Sequence, residues 1–446
     1  MQSENPYESP QTAPQPSPSN SIPPQAAPIN TRTWTICGLL LLASAINYMD
    51  RQTLANAAVR ISREFGMSQE QYGNLEAGFG WAFAAGSLFF GFLADKLPLR
   101  WLYAAVLLLW SAMGFASGFA RDYDDLLVYR TLLGFFEAGH WPCGVKTVRA
   151  LLDAGGRAMG NSVLQSGTSI GAVVTPLIMA WLLTDELGSW RFAFQAIGAI
   201  GVVWVVAWIA LAPTSRPTAT TSKSGDPGRT NAQAGEVSGP WWNIFLDRRM
   251  LVVLAVVALI NTTFQMLRAW LPKFLQEGRG YAEAEALYYN SVWFIATDVG
   301  CLGAGAAALW MVRRGSPVVR ARLLAFFVCA VLCLLTLGLP WLPHGWMLLG
   351  ALLIVGAGAL GVFPIYHAFT QDISHEHQGK VTGIAGVAAW AFSPLAHRAF
   401  GKHIDDTHSF DQGLVVAGCL PIVAFVLLAL FWPRAMRRPS DGRIVE

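Results

Sequence analysis

Charged side chains occur inside long apolar stretches of this 446-residue chain. In the first stretch, Asn47 lies three and four positions before Asp50 and Arg51, so one helix face presents all three. Arg130 and Glu137, in a later stretch, stand two helical turns apart on a single face. Charges in apolar surroundings are costly unless they are paired or reach water. These four charged residues are therefore candidates for binding an anion or carrying a proton.

The composition is that of a membrane protein. Hydrophobic residues make up 54% of the chain and charged residues 13%, against roughly 25% charged in globular domains. The net charge of +3 is too small to indicate a nucleic-acid partner. The six cysteines lie in apolar runs without C-x-x-C spacing, which argues against a disulfide framework or a metal site. We expect no cofactor, and the lipid bilayer as the surrounding partner.

Twelve apolar stretches are long enough to cross a hydrocarbon core of about 30 Å. The stretches are 34–58, 69–93, 100–119, 124–148, 158–183, 190–212, 249–275, 285–311, 320–340, 346–372, 378–400 and 413–433. Between the sixth and seventh lies Pro213 to Pro240, rich in Ser, Thr, Gly and Pro, which is typical of a flexible linker. The sequence therefore predicts an all-α membrane protein of twelve transmembrane helices in two six-helix bundles.

The domain boundaries follow from this division. We predict a disordered tail (1–32), an N-terminal bundle (33–212), a linker (213–248), a C-terminal bundle (249–435) and a second tail (436–446). Lys and Arg are in excess on the face shared by the tails and the linker, which predicts that this face is cytoplasmic. We expect a multi-pass protein of the bacterial inner membrane that acts as a monomer.

Depth along the spans suggests which charges meet. At about 1.5 Å per residue, Asp50, Arg51 and Arg130 lie at similar depth and Glu137 lies near the midplane. An Asp50–Arg130 ion pair would leave Arg51 to meet an anion and Glu137 to titrate. The alternative is that all four residues pair only to hold the first and fourth spans together.

Four motifs carry a resemblance to a known family. They are N-Y-x-D-R (47–51), R-x-L-L-G-x-x-E-A (130–138), S-G-x-x-x-G-A-x-x-x-P (166–176) and W-L-P-x-x-L (270–275). Over about residues 34–435 the chain resembles the anion:cation symporters of the major facilitator superfamily. The resemblance implies proton- or sodium-driven uptake of organic anions such as hexuronates and aldonates. It also implies proton coupling at Asp50 and Glu137 and substrate binding at Arg51 and Arg130, beside Asn47 and Tyr48.

Three further side chains are candidates for contacting a sugar. Gln165 offers an amide to hydroxyl groups, although a hydrogen bond between helices accounts for it equally well. Trp81 and Trp390 have flat apolar faces for a sugar ring, against the alternative that they face lipid. His140 is either an extra cavity residue or a packed one.

The loop after the second span resembles the superfamily's G-x-x-x-D-R-x-G-R-K signature. It reads Gly91 to Arg100, with Pro98 in place of the second Gly. We interpret this loop as a cytoplasmic gate made by Asp95, Lys96, Arg100 and Arg149, in which Asp95 meets Arg149 or a helix N-terminus.

Two acidic residues receive structural interpretations. Asp298 is expected to pair with Arg268 across the second half, and Glu76 to be a solvated rim carboxylate or a reserve proton site. We therefore expect a proton-coupled symporter of a small organic anion such as a hexuronate. An uncoupled sugar facilitator or a drug exporter is the alternative, followed by a membrane sensor. The chain lacks H-E-x-x-H and P-loop patterns, and no enzyme activity is expected.

Overall fold

The computed structural model describes residues 31–152, 156–212, 247–373 and 378–432. Within these ranges fourteen α-helices follow one another. They are α1 Thr31–Phe65, α2 Gln69–Lys96, α3 Leu99–Ser117, α4 Tyr123–Glu137, α5 His140–Leu151, α6 Arg157–Leu182, α7 Trp190–Leu211, α8 Arg248–Lys273, α9 Glu283–Arg313, α10 Val318–Cys333, α11 Trp346–Gly361, α12 Phe363–Gln371, α13 Gln378–Thr407 and α14 Asp411–Phe431. A π-turn, Phe274–Gly278, extends α8, and 3-10 turns at Leu187–Ser189 and Leu334–Trp341 adjoin α7 and α10. Most of the predicted linker and all but residues 31 and 32 of the predicted tails lie outside the described residues; those two residues begin α1.

Each predicted span corresponds to one of these helices or to a pair of them. The fourth span is α4 and α5, interrupted at Ala138 and Gly139, and the tenth is α11 and α12, interrupted at Val362. Nine helical segments of the described chain are long and apolar enough to cross a membrane by themselves. The other three spans are α1, the α4–α5 pair and α13. Polar residues such as Asp50 and Arg51 lower the hydropathy of α1, whereas α4 and α5 are each short.

The two halves of the chain repeat one packing scheme. In the first half, α1 packs on α6, α2 on α4 and α3 on α7. In the second half, α8 packs on α13, α9 on α11 and α10 on α14. In both halves the first span therefore contacts the fifth, the second contacts the fourth and the third contacts the sixth. The internal repeat is plain in the packing, although the two halves share little sequence.

Glycines bring the helices of each half into close contact. A Cβ atom at Gly167 or Gly171 of α6 would overlap the carbonyl oxygens of Leu41 and Ala45 in α1. A Cβ at Gly300 of α9 would likewise overlap the backbone of α11. Small residues at such crossings let helix backbones approach, which is how membrane helices gain contact without a hydrophobic driving force.

Three helix pairs join the halves along a common boundary, here called the seam: α1 with α8, α2 with α13 and α6 with α9. We call the end of the molecule where α1 begins and α14 finishes the tail end, and the opposite end the far end. At the far end, Arg60 pairs with Glu283 across the seam, and Asp405 accepts hydrogen bonds from the first two backbone N–H groups of α2. Toward the tail end, Gly383 and Gly386 of α13 are exposed and face open space. The halves are thus closed together at the far end.

Candidate functional site

The centre of the seam holds a buried ion pair between the first and fourth spans. Nε of Arg51 in α1 donates a hydrogen bond to Oε1 of Glu137 in α4. Arg51 is 4% exposed and Glu137 is fully buried. A charge at the middle of a span costs roughly 2.5–3.5 kcal/mol on insertion scales, and mutual neutralisation offsets that cost. The pair therefore buries both side chains without adding net charge to the site.

Aromatic rings from both halves surround the Arg51 guanidinium. Its central carbon lies 4.7 to 5.5 Å from four ring centroids, those of Tyr48, Phe79, Phe83 and Trp390. Rings at this distance attract a cation through their quadrupoles, more strongly when water is excluded. The rings thus hold the guanidinium in place and offer flat faces for an apolar part of a ligand.

The expected Asp50–Arg130 ion pair is wrong. Arg130 instead donates from Nη1 to the backbone oxygen of Asp50 at 3.3 Å, and these two residues form no ion pair in the described part of the chain. The ion pair between α1 and α4 is instead formed by the next residue of α1, Arg51, with the acid Glu137 of α4. The physical reason is rotation: neighbouring helix residues point about 100° apart, so equal depth does not determine which of two adjacent side chains faces the partner helix.

Polar atoms without a partner occur on α1 and α4, close in the chain to this ion pair. Within the described ranges, Nε and Nη2 of Arg130, Oδ2 of Asp50, and both amide atoms of Asn47 and Gln52 are buried without a hydrogen-bond partner. Native proteins leave few such groups, so a concentration of them needs an explanation. A set of free donors and acceptors beside a charged pair has the chemistry of a site for a polar ligand.

A second buried ion pair crosses the seam, contrary to expectation. Arg268 of α8 donates from Nη2 to Oε2 of Glu76 in α2 at 2.5 Å, and from Nε to Oε1 of Gln265 at 2.7 Å. Arg268 was expected to pair with Asp298, which instead accepts a hydrogen bond from Ser169 of α6 at 2.9 Å. Because α8 packs on the first half, Arg268 faces an acid of that half. Glu76 is therefore a buried partner and not a rim carboxylate.

The sugar-contact candidates are found in different environments. Trp390 lies among the rings around Arg51, whereas Trp81 is 46% exposed and lies on the opposite face of α2 from Phe79 and Phe83. Gln165 is exposed, and its amide donates to Thr168 of its own helix at 3.2 Å. This hydrogen bond lies within α6 and does not join two helices, as the alternative interpretation of Gln165 required. The structure brings Trp390 to the central cluster and leaves Trp81 outside it.

His140 is a packed residue. Its Nε2 lies 3.0 Å from the Ser44 hydroxyl and its Nδ1 lies 2.8 Å from the Tyr103 hydroxyl. The side chain is fully buried with both ring nitrogens in hydrogen bonds. Of the two interpretations of this histidine, the structure shows the packed one.

The predicted gate lies at the tail end, with a different partner for Asp95. Lys146 of α5 pairs with Asp95, and Arg149, one turn farther along α5, is exposed. Lys146 and Arg149 share a face of α5, and the nearer turn supplies the partner. Arg100 donates to the carbonyl oxygen of Ile209 in α7 at 2.5 Å, and Lys96 is exposed where α2 finishes.

Hydrolytic and metal chemistry find no support in the described residues. Gly167 to Gly171 spell G-x-S-x-G, but they lie inside α6, whereas a nucleophile elbow requires a strand-to-helix turn. No group of three or more His, Cys, Asp and Glu side chains among these residues could hold a metal ion. What this arrangement can do is exchange one anionic partner of a guanidinium for another.

Comparisons with known proteins agree with this geometry. The family model described as "Major Facilitator Superfamily" matches residues 40–397. The chain is 26% identical over 393 residues to the probable L-galactonate transporter of Escherichia coli (strain K12), covering 86% of this chain and 85% of that protein. It is also 26% identical over 424 residues to the probable galactarate/D-glucarate transporter GarP of the same strain, covering 89% of this chain and 94% of that protein.

Solved structures show the same fold. A bacterial homologue of the human lysosomal transporter Spinster, crystallised in an inward-facing and unoccupied conformation, superposes with a TM-score of 0.74 at 16% identity. The match covers 90% of this chain and 98% of that one. The twelve spans, the repeated packing and the family match lead to one conclusion: the chain belongs to the Major Facilitator Superfamily and is a multi-pass membrane transporter, not an enzyme.

Proposed function

We propose that this protein is a secondary active transporter that carries a small organic anion, a sugar acid, together with protons. The observation that supports this most strongly is the buried Arg51–Glu137 pair among aromatic rings and unpaired polar atoms. A guanidinium is the side chain best suited to a carboxylate that leaves water, because it offers two parallel donors.

The pair suggests how binding and protonation are linked. Burial penalises the charged form of Glu137, whereas the adjacent guanidinium favours it. When Glu137 accepts a proton, Arg51 loses its partner and a substrate carboxylate takes the vacated side of the guanidinium. A monoanion that binds with one proton leaves the net charge of the site unchanged. Asp50, beside Arg130, is the reserve position for the coupling proton.

The remainder of the site suits a polyhydroxylated carbon chain. The Trp390 ring offers a flat face, and the amides of Asn47 and Gln52 have unused donors and acceptors in the described part of the chain. The names of the two E. coli relatives, a galactonate and a galactarate/glucarate transporter, support the same class of substrate.

Transport would follow from rocking of the two halves about this central site. Closure at the far end and exposure of α13 toward the tail end correspond to one of the two alternating arrangements. We propose that the tail end is cytoplasmic and that the membrane is the bacterial inner membrane. A cysteine placed at Ser224, outside the described residues, should then escape an impermeant reagent in intact cells that express a cysteine-free background. Labelling there would reverse the orientation.

Uptake into proteoliposomes tests the proposal. Galactonate should accumulate when the outside is made acidic, and a protonophore should abolish the accumulation. Uptake that only equilibrates the acid, with no response to a pH gradient, would favour an uncoupled facilitator. Absence of any galactonate or galactarate binding in a thermal-shift assay would contradict the substrate class, because a ligand of the folded state raises apparent stability.

A further inference from the structure

Two guanidiniums border the centre of the seam, one from each half. Arg51 belongs to α1, and Arg268 belongs to α8. Nη1 of Arg268 donates to the backbone oxygen of Arg51 at 3.5 Å, so the two residues are in direct contact. Both side chains are at most 5% exposed, and each is neutralised by a glutamate of the first half, Glu137 and Glu76 respectively.

The two central pairs are Arg51–Glu137 and Arg268–Glu76, and the far-end pair is Arg60–Glu283. The central pairs share a feature that the far-end pair lacks. In the described part of the chain, Oε2 of Glu137 and Oε1 of Glu76 are buried without a hydrogen-bond partner, so each glutamate holds its arginine through one oxygen. At the far end, by contrast, Arg60 donates from Nε to both Glu283 oxygens, at 2.7 and 2.9 Å, and from Nη2 to Oε2 at 2.6 Å. Multiple hydrogen bonds make a pair stronger and geometrically specific. The far-end pair is therefore the more strongly hydrogen-bonded one. The two central pairs have fewer hydrogen bonds to break, so their arginines can exchange one anionic partner for another.

We propose that Arg268 is a second carboxylate-binding residue and that the preferred substrates of this transporter are sugar acids with two carboxylates. The inference rests on the proposed function, in which Arg51 binds a carboxylate. One acid group takes the place of Glu137 at Arg51, and the other takes the place of Glu76 at Arg268. Each displaced glutamate accepts a proton from solvent. A dianion therefore binds with two protons, and the net charge of the site does not change.

The position of Arg268 explains why the second acid group matters. Arg51 and Arg268 lie in opposite halves, so a diacid contacts both halves at once, whereas a monoacid contacts one of the two guanidiniums. Glu76 and Arg268 also lie on opposite sides of the seam, and rocking of the halves strains the bond between them. A diacid that replaces this bond on the Arg268 side removes that connection between the halves.

Binding of two acids that differ in one end group tests the inference. The affinities of galactarate, with two carboxylates, and galactonate, with one, are measured by calorimetry on the purified full-length protein. Galactarate should bind more tightly, and Arg268→Gln should weaken it by about tenfold or more, the loss expected for a hydrogen bond to a charged group. Galactonate should change by about twofold at most, because it keeps Arg51. An equal loss for both acids, or no loss for galactarate, would overturn the inference.

A second variant covers the case in which Arg268→Gln leaves Glu76 charged and the protein does not fold. The double change Glu76→Gln with Arg268→Gln removes both charges and keeps an amide pair across the seam. It should fold and bind galactarate no more tightly than galactonate; retained preference for galactarate would overturn the inference.

Arg60→Gln is the matched control, since it removes a guanidinium from a seam pair outside the site. It should affect both acids equally, and a selective loss of galactarate binding there would show that overall charge, not Arg268, sets the preference. If neither acid binds the unaltered protein, the proposed function itself fails, which is a different outcome from a preference that Arg268 does not govern.

Discussion

At the scale of single residues, the chemistry of this protein depends on how a buried guanidinium is neutralised. Arg51 is enclosed by rings and by Glu137, and only 4% of its surface is exposed. Its charge is tolerated only because a partner balances it. In the proposed function, the ligand that binds there is an anion, and Glu137 loses its charge or moves when the ligand arrives.

Replacement of this guanidinium should remove anion binding. We expect Arg51→Gln to weaken galactonate binding by at least about thirtyfold, since truncating one side of a buried charged contact costs roughly 2–5 kcal/mol. Arg51→Lys should restore part of the affinity, because an ammonium supplies the charge without the fork geometry. Calorimetry on folded, purified variants checks both values. Unchanged affinity in Arg51→Gln would show that the carboxylate binds elsewhere, with Arg130 the next candidate.

The coupling role proposed for Glu137 predicts a separation of two activities. Glu137→Gln fixes the neutral state of this side chain, so the carrier should still bind and exchange substrate but should not release a proton to complete a net cycle. Counterflow and pH-driven accumulation, measured in the same proteoliposomes, should therefore diverge: counterflow is retained and accumulation is lost. Retained proton-driven accumulation would transfer the coupling role to Asp50. Loss of both activities would favour a purely structural pair.

At the scale of helices, the site exists because α1 and α6 approach closely. Gly167 and Gly171 face the backbone oxygens of Leu41 and Ala45, one turn apart on each helix. This contact fixes the rotation of α1, and hence which of its adjacent polar residues faces α4. Gly167 and Gly171 therefore favour the Arg51–Glu137 pairing without contacting either residue, because they fix the rotation of α1.

A methyl group at this crossing should be costly. Gly167→Ala places a Cβ against the α1 backbone, which cannot yield as a side chain would, and we expect a loss of about 1–3 kcal/mol in stability. Gly303→Ala is the matched control, because no atom of the described residues lies within 4 Å of the place that a Cβ would occupy there on α9. Alanine should be neutral or slightly stabilising there, since it favours a helix over glycine. Thermal unfolding in detergent compares the two variants. A Gly167→Ala protein as stable as the control would contradict this account of the crossing.

At the scale of the whole molecule, hydrogen bonds across the far end hold one arrangement of the two halves. Arg60 binds Glu283 and also donates to the carbonyl oxygens of Thr184 and Glu186, while the Asp405 carboxylate contacts the N-terminus of α2. A carboxylate at a helix N-terminus is favoured by free backbone N–H groups and by the helix dipole. These contacts must break when the far end opens.

Loss of this connection should shift the balance between the two arrangements. Ser62, buried in the seam near the far end, is replaced by cysteine in a cysteine-free background. Arg60→Gln should raise the rate at which an impermeant thiol reagent labels this cysteine by about fivefold or more, the change expected for roughly 1 kcal/mol. Arg121→Gln is the control, because its ion pair with Asp125 lies within one half at the surface. Equal rates in the two variants would show that Arg60 does not hold the far end closed.

Much of the fold follows from the sequence alone. Length, hydropathy and the interruption at Pro213–Pro240 predicted twelve spans in two halves, and the fold is confirmed. The residues of the central pair, Arg51 and Glu137, were also identified, because charges inside apolar spans are rare. Their pairing was not identified, because Asp50 and Arg51 are adjacent in the chain and lie at the same depth in the span. The partner of Arg268 was also predicted wrongly, because its position in an apolar span does not show that the side chain faces Glu76 of the first half and not Asp298.

The sequence by itself determined which residues lie in the membrane and which of them carry charge, because crossing a hydrocarbon core imposes length and apolarity on every span. Tertiary structure alone decided which charges meet. Helix rotation and the contacts between halves depend on glycine crossings and on packing between spans distant in the chain, as between Glu76 and Arg268. Hydropathy reports how deeply a residue is buried, but it carries no information about the direction in which a side chain points within the bundle.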